Sequence, residues 1–248
     1  WAFQPSPHDT HDWDAVETPV LADMEFKGEK KKLLMQTSRN GYFFVLDRTN
    51  GKSLLTTTFG PVNWSLGVDK DGKPIPNPAK EPAPDGRLIA PDEGGMTNYR
   101  SPSFDPKLGL FLVSASPSYS LYFSKPEDGA YGWSGADYSL WSDGFLDAID
   151  YRTGKIRWSH PLSGRGGAGI LTTDSGLTFT GDAMGNFMAL DTSDGKTLWH
   201  SGTGGKIDNP PITYELDGKQ VVVVGSDGLL FAFALQDGPA HSDKTAAK

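Results

Sequence analysis

The feature that most constrains this fold is a repeat. Ala148-Ile-Asp150-Tyr-Arg-Thr153-Gly154-Lys155-Ile-Arg-Trp158 returns as Ala189-Leu-Asp191-Thr-Ser-Asp194-Gly195-Lys196-Thr-Leu-Trp199. Both read A-x-D-x-x-[TD]-G-K-x-x-W, and their tryptophans stand 41 residues apart. A weaker copy runs from Val45 to Leu55, with Val45 for the alanine and Leu55 for the tryptophan. Each copy reads as a hairpin. An apolar strand ends at the aspartate, an Asx-type turn follows with glycine where φ must be positive, and the return strand ends on the tryptophan. One hairpin cannot bury its own faces. An all-β unit of about 40 residues is the size of a four-stranded propeller blade, and stacked blades bury one another.

The strand pattern extends this reading. Residues 168–200 read as four strands, as do 18–57, with turns near Gly28 and Asn40-Gly41. A further blade is expected from Leu108–Ala115, Ser118–Ser124, Phe145–Asp150 and Ile156–His160. Residues 207–235 give three strands, and a polar tail, 236–248, follows. The expected class is therefore an all-β propeller of about four antiparallel blades over residues 1–235. Two Pro/Gly/Asp-rich stretches, 60–102 and 125–143, show little periodicity, and loops of that length usually carry function. Trp1 stands where the closing tryptophan of a preceding hairpin would stand. The chain is thus expected to begin within a blade, as part of a larger ring of about eight. A four-bladed ring complete in itself is the alternative.

Composition narrows the function classes. Of 248 residues, 31 are acidic and 23 basic, a net charge of −8, which argues against a nucleic-acid or polybasic membrane surface. Glycine and proline number 30 and 18, a turn density suited to many short strands. There is no cysteine, so no disulfide, thiolate metal site or cysteine nucleophile exists in this chain. No apolar run reaches the ~18 residues of a membrane span. Residues 1–14 show neither the basic region nor the apolar core of a secretory signal.

Several ordered segments carry a resemblance. Trp1-Ala-Phe-Gln4 with Pro7-His8-Asp9-Thr-His11-Asp12-Trp13-Asp14 is similar to the active-site segment of quinoprotein alcohol dehydrogenases that use pyrroloquinoline quinone (PQQ). So are Ser38-Arg39-Asn40-Gly41 through Gly51, Val62-Asn63-Trp64 through Pro74, and Gly95-Met-Thr-Asn98-Tyr99 through Phe104. The resemblance runs in order from Trp1 to about Leu235. It implies periplasmic oxidation of an alcohol, with PQQ and a calcium or lanthanide ion as cofactors and cytochrome c as electron acceptor. It also implies that the closed propeller needs a missing N-terminal half, or a second copy of the chain, and that the isolated chain is inactive without it. A non-catalytic propeller scaffold that binds other proteins shares the docking repeats and is the rival reading.

The resemblance assigns roles residue by residue. Asp12 matches the catalytic base, a carboxylate that can take the hydroxyl proton as hydride leaves carbon. Asp12 and Asp14 would both face the ion, because an extended segment turns alternate side chains to one side and hard cations favour carboxylate oxygens. Arg39 matches the cation against the quinone oxygens, and Asn98 and Tyr99 match an Asn-aromatic pair that touches PQQ. Tyr99 departs from a common tryptophan there, and Ser116 stands near where some members place an asparagine. The joint Gly225–Gly228 lacks a longer Gly/Trp-rich loop of some relatives. His8, His11 and Asp9 fit no zinc spacing and are expected to shape the loop. Gly164-Arg165-Gly166-Gly167-Ala-Gly169 has the glycines of a phosphate loop without a following helix, and is expected to enter a blade beside the pocket.

Overall fold

The computed structural model describes residues 1–124 and 136–235. The polar tail and residues 125–135 of the second aperiodic stretch lie outside them. The first blade follows an irregular segment and comprises β1 (Val20–Phe26), β2 (Glu29–Thr37), β3 (Tyr42–Asp47) and β4 (Lys52–Thr58), in that order. The chain then leaves the blade through a hairpin, β5 (Ser65–Val68) and β6 (Pro74–Pro76), and a short strand, β7 (Arg87–Ile89). It enters the second blade as β8 (Ser103–Asp105) and β9 (Leu110–Ala115). It leaves again as β10 (Ser118–Phe123) and β11 (Ala136–Ser142), and returns as β12 (Phe145–Asp150) and β13 (Ile156–Pro161).

The third blade is β14 (Leu171–Thr172), β15 (Leu177–Gly181), β16 (Asn186–Asp191) and β17 (Thr197–Gly202). The fourth has three strands, β18 (Ile212–Leu216), β19 (Lys219–Ser226) and β20 (Leu229–Ala234). Four blades are thus present, in an open series of antiparallel sheets. One expected strand moves. Ser118–Ser124 was assigned to the second blade, but β10 pairs with β7 and β11 in a separate sheet. Its alternation suits any half-buried strand. The vacant place in the blade is filled by β8, whose three residues are too short to show a period.

The central strands are buried on both faces. Along β3, Phe43 and Val45 enter a core shared with Phe111 and Val113 of the second blade, while Tyr42, Phe44 and Leu46 enter a core with Trp13, Trp64 and Tyr122. Along β9, Leu110 and Leu112 pack with Met188 and Leu190 of the third blade. A period of two with apolar residues at every position produces this double burial.

The repeats dock blade on blade. Asp47, Asp150 and Asp191 each accept from turn amides, and each motif glycine donates back to its aspartate carbonyl at 2.7–2.8 Å. Those glycines, Gly51, Gly154 and Gly195, have φ of 75°, 69° and 74°. Each receives a wedge from earlier in the chain. Trp1 lies on Gly51, Leu55 on Gly154 and Trp158 on Gly195, so that a Cβ on Gly195 would stand 2.5 Å from the indole. The Trp158 indole N–H donates to the Thr192 carbonyl at 3.1 Å, as that of Trp1 does to Arg48 at 2.9 Å.

Antiparallel order sorts the connections. Turns after first and third strands fall at one end of a blade; links after second and fourth strands fall at the other. The docking turns occupy the first end. Of the described residues, 1–19, 38–41, 59–102, 116–124, 136–144 and 162–170 belong to the second.

Candidate active site

That second end gathers the sequence-predicted residues. Residues 1–19 form no strand. Asp9 curls them instead, its carboxylate accepting the backbone N–H of His11 at 2.9 Å and of Trp13 at 2.6 Å. Burial pushes the Asp9 carboxyl up, and these two N–H groups pull it back. His11 stacks on Trp13, with ring centroids 4.4 Å apart, and its Nε2–H donates to the Lys80 carbonyl at 3.1 Å. Burial lowers its pKa, which favours the neutral ring. These residues shape the loop as expected. The extended geometry assumed for Asp12 and Asp14 is absent. The Asp9 captures bend the chain, and Asp12 takes a left-handed φ of 64°. Aspartate tolerates that region better than most residues. Trp13 is buried between two exposed carboxylates, those of Asp12 and Asp14.

Arg39 follows β2 and is 7% exposed. Its Nη2 donates to the Glu93 carboxylate at 2.9 Å and to the Glu93 carbonyl at 2.5 Å. Burial raises the Glu93 pKa, and the neighbouring Asp12 carboxylate raises it further, against the pull of Arg39. Asp12, Glu93 and Arg39 therefore form one chain of contacts. Glu93 was not foreseen. Its only sequence signal is a carboxylate in the Asp92-Glu93-Gly94-Gly95 turn of an aperiodic stretch.

Asn98 supports the same turn, its Nδ2 donating to the Gly94 carbonyl at 2.9 Å while its Oδ1 accepts the Tyr99 amide at 2.8 Å. Tyr99 does not join the cluster. It is 58% exposed, with the Arg100 guanidinium 5.2 Å above its ring.

A second unforeseen group is Glu17, which is 3% exposed. Neither of its carboxylate oxygens has a hydrogen-bond partner, and the same holds for the buried Ser38 Oγ and Arg39 Nε beside it. Burial pushes the Glu17 carboxyl up to about 7, opposed by the amides of Glu17 and Arg39 and by the Arg39 charge.

An apolar cleft of about 360 Å³ lies apart from this chemistry, between the third and fourth blades. Phe179, Phe187, Trp199 and Phe233 line it, and none of its lining residues is titratable.

Comparisons with known proteins point to one kind of relative. Residues 1–67, which hold Asp12, Asp14 and Arg39, match the family model described as glucose/ethanol/alcohol dehydrogenase, β-propeller domain. Residues 142–241 match a second model, described as outer membrane protein assembly factor BamB. The 1-butanol dehydrogenase (cytochrome c) of Thauera butanivorans is 32% identical over 244 residues, covering 90% of this chain and 35% of that protein. The chain is a partial-length relative of the quinoprotein alcohol dehydrogenases, matched over nine tenths of its own residues. It spans about a third of the length of the curated relatives it matches. Among solved structures, the quinohemoprotein alcohol dehydrogenase ADHIIG of Pseudomonas putida superposes with a TM-score of 0.85 at 27% identity, over 91% of this chain and 36% of that one. A europium-containing methanol dehydrogenase gives 0.78 at 31%, over 90% and 41%.

The residues present suit the groups this family implies. Arg39 has a buried Nε–H without a partner, a donor left over for an anionic ring. Asp12 and Asp14 offer the oxygen donors that a hard cation prefers. Among the described residues, no three His, Cys, Asp or Glu side chains gather closely enough to hold a metal ion. Calcium takes about 6–8 oxygens, so most of its shell must come from groups other than these two aspartates.

Proposed function

We propose that this chain supplies the base and the quinone-facing arginine of a PQQ-dependent alcohol dehydrogenase. The carrying observation is the Asp12–Glu93–Arg39 chain at the loop end of the blades, within or beside the segment that matches the dehydrogenase model. When bound, PQQ would supply the two-electron acceptor, and a calcium or lanthanide ion would polarise it and favour the ionised base. Asp12, exposed at the tip of its loop, takes the hydroxyl proton of the alcohol. Arg39 places a fixed positive charge where the accepted electrons build negative charge. Asn98 and Glu93 hold the turn that faces them. Asp12 and Asp14 face the ion. The alcohol leaves as an aldehyde, and the electrons pass to a cytochrome c in the periplasm. No helix among the described residues is long and apolar enough to cross a membrane. The remainder of the ring, from further chain or a second copy, completes the site.

The match of residues 142–241 to the BamB model favours a scaffold for that stretch taken alone, but Asp12, Asp14 and Arg39 all lie outside it. Titration of the chain with PQQ and either calcium or lanthanum chloride, followed by tryptophan fluorescence, separates the two readings. Saturable binding, weakened at least tenfold by Arg39→Ala and made metal-independent by Asp12→Asn, is expected. PQQ binding that neither substitution changes would overturn the assignment.

A further inference from the structure

We propose that Arg165 is a positioning residue for this site, acting through Asp92 on the turn that carries Glu93. The inference rests on the reading that Arg39 and Asp12 face the cofactor. The family model over residues 1–67 stops short of Arg165, which lies on the link between the second and third blades.

Arg165 and Asp92 are 73 residues apart in sequence and meet in a two-pronged pair, Nη1 on Oδ2 and Nη2 on Oδ1. The Asp92 side chain is 2% exposed and that of Arg165 36%. Such forked pairs fix orientation as well as charge. A carboxylate buried this deeply cannot tolerate losing its partner.

Asp92 is also a knot between segments. Its amide donates to Ser118 Oγ at 3.1 Å, its carbonyl accepts the Trp13 indole N–H at 2.8 Å, and its Oδ1 accepts the Gly95 amide at 3.2 Å. Trp13 is the residue between Asp12 and Asp14. Movement of Asp92 therefore reaches both carboxylates through Trp13, and Arg39 through Glu93.

The turn is shaped for two arginines. A Cβ on Gly94 would stand 2.5 Å from Arg165 Nη2, and one on Gly95 would stand 2.6 Å from Arg39 Cβ. Adjacent glycines thus let one guanidinium bind Asp92 and the other bind Glu93. The division has an electrostatic use. Asp12, Asp92 and Glu93 are three acids against two arginines. With Arg165 gone, one arginine faces all three, and an anionic ring loses the positive site it needs.

The test uses the chain with Arg165→Gln, Arg165→Lys and Asp92→Asn. Indole N–H exchange by NMR reads Trp13, with Trp1 and Trp158 as internal controls because their N–H groups bond to Arg48 and Thr192 carbonyls elsewhere. Arg165→Gln and Asp92→Asn are expected to speed Trp13 exchange about tenfold or more and leave the controls unchanged. PQQ affinity with calcium should fall at least tenfold, with the lysine variant in between because it keeps charge and loses the fork. The Arg165→Gln/Asp92→Asn double variant should bind no worse than the poorer single one. Unchanged Trp13 exchange would overturn the proposal. So would equal acceleration at all three indoles, which marks a purely structural role. If the unsubstituted chain takes up no PQQ while Trp13 still responds, the clamp stands and the cofactor reading falls.

Discussion

Glu17 makes the stability of this chain fall with rising pH. Its carboxyl is buried without a hydrogen-bond partner and is raised from 4.5 to about 7. Between those two values the folded chain binds a proton that the unfolded chain has released. Stability from this group is therefore greatest below pH 4.5, declines as pH rises toward 7, and levels off above it. A shift of that size corresponds to about 3 kcal/mol between the two plateaus. In a chain of this length that is roughly 6–12 °C in melting temperature. Glu17→Gln keeps the shape and removes the titration. Urea unfolding of both proteins at pH 5, 6, 7 and 8.5 isolates the effect, because every other group titrates in both. The glutamine chain should match the parent at pH 5 and exceed it by up to about 3 kcal/mol at pH 8.5. A constant difference across the range would refute the argument, since it would mean that the Glu17 carboxyl titrates alike in the folded and unfolded chain.

Gly195→Ala should destabilise by more than about 2 kcal/mol in urea, because it combines a left-handed φ with a Cβ in the Trp158 ring. Gly176→Ala has a similar φ and no neighbour within 4 Å, so it should cost only about 1 kcal/mol. Phe43→Ala, which empties the core between the first two blades, should cost about 3–5 kcal/mol. Asp147 on β12 is raised to about 6 by burial, against a hydrogen bond from Ser159. Asp147→Asn should therefore remove a decline in stability between about pH 4 and pH 6, seen when the urea series is extended down to pH 4.

The repeats made the blades legible because each motif residue has a local task that its neighbours in sequence define. Asp191 needs only the amide two residues on, and Gly195 only its own φ. The excursions were opaque for the opposite reason. Pro74–Pro76 and Arg87–Ile89 are too short to show a period, and β10 alternates like a blade strand although its partners are β7 and β11. Among site residues, Asp12 and Arg39 were found because their flanking segments are similar to a family. The arrangement of Asp12 and Asp14 was not, because the extended reading ignored Asp9, whose carboxylate bends the loop two and four residues on. Asn98 was placed beside the site but Tyr99 was not, since its side chain turns to solvent under Arg100. Glu93, Asp92 and Arg165 carry no mutual signal in a single sequence, being 73 residues apart.

The position of the chemistry follows from how the blades are packed. β3, β9 and β12 bury both faces, so the central strands of the first two blades leave no surface to meet a ligand. Function is confined to connections, and the docking turns already consume those at one end. What remains is the end reached after second and fourth strands, where the irregular first segment, Arg39, the Asp92–Asn98 loop and Arg165 converge. Substitutions there should change binding more than stability, and substitutions at Phe43 or Gly195 the reverse. A panel of Arg39→Ala, Asp12→Asn, Phe43→Ala and Gly195→Ala, each measured for urea midpoint and for PQQ affinity with calcium, tests this separation. The first pair should fall off the correlation between the two quantities. If all four lie on one line, loss of affinity merely reports unfolding, and the division of labour between blade and loop is wrong.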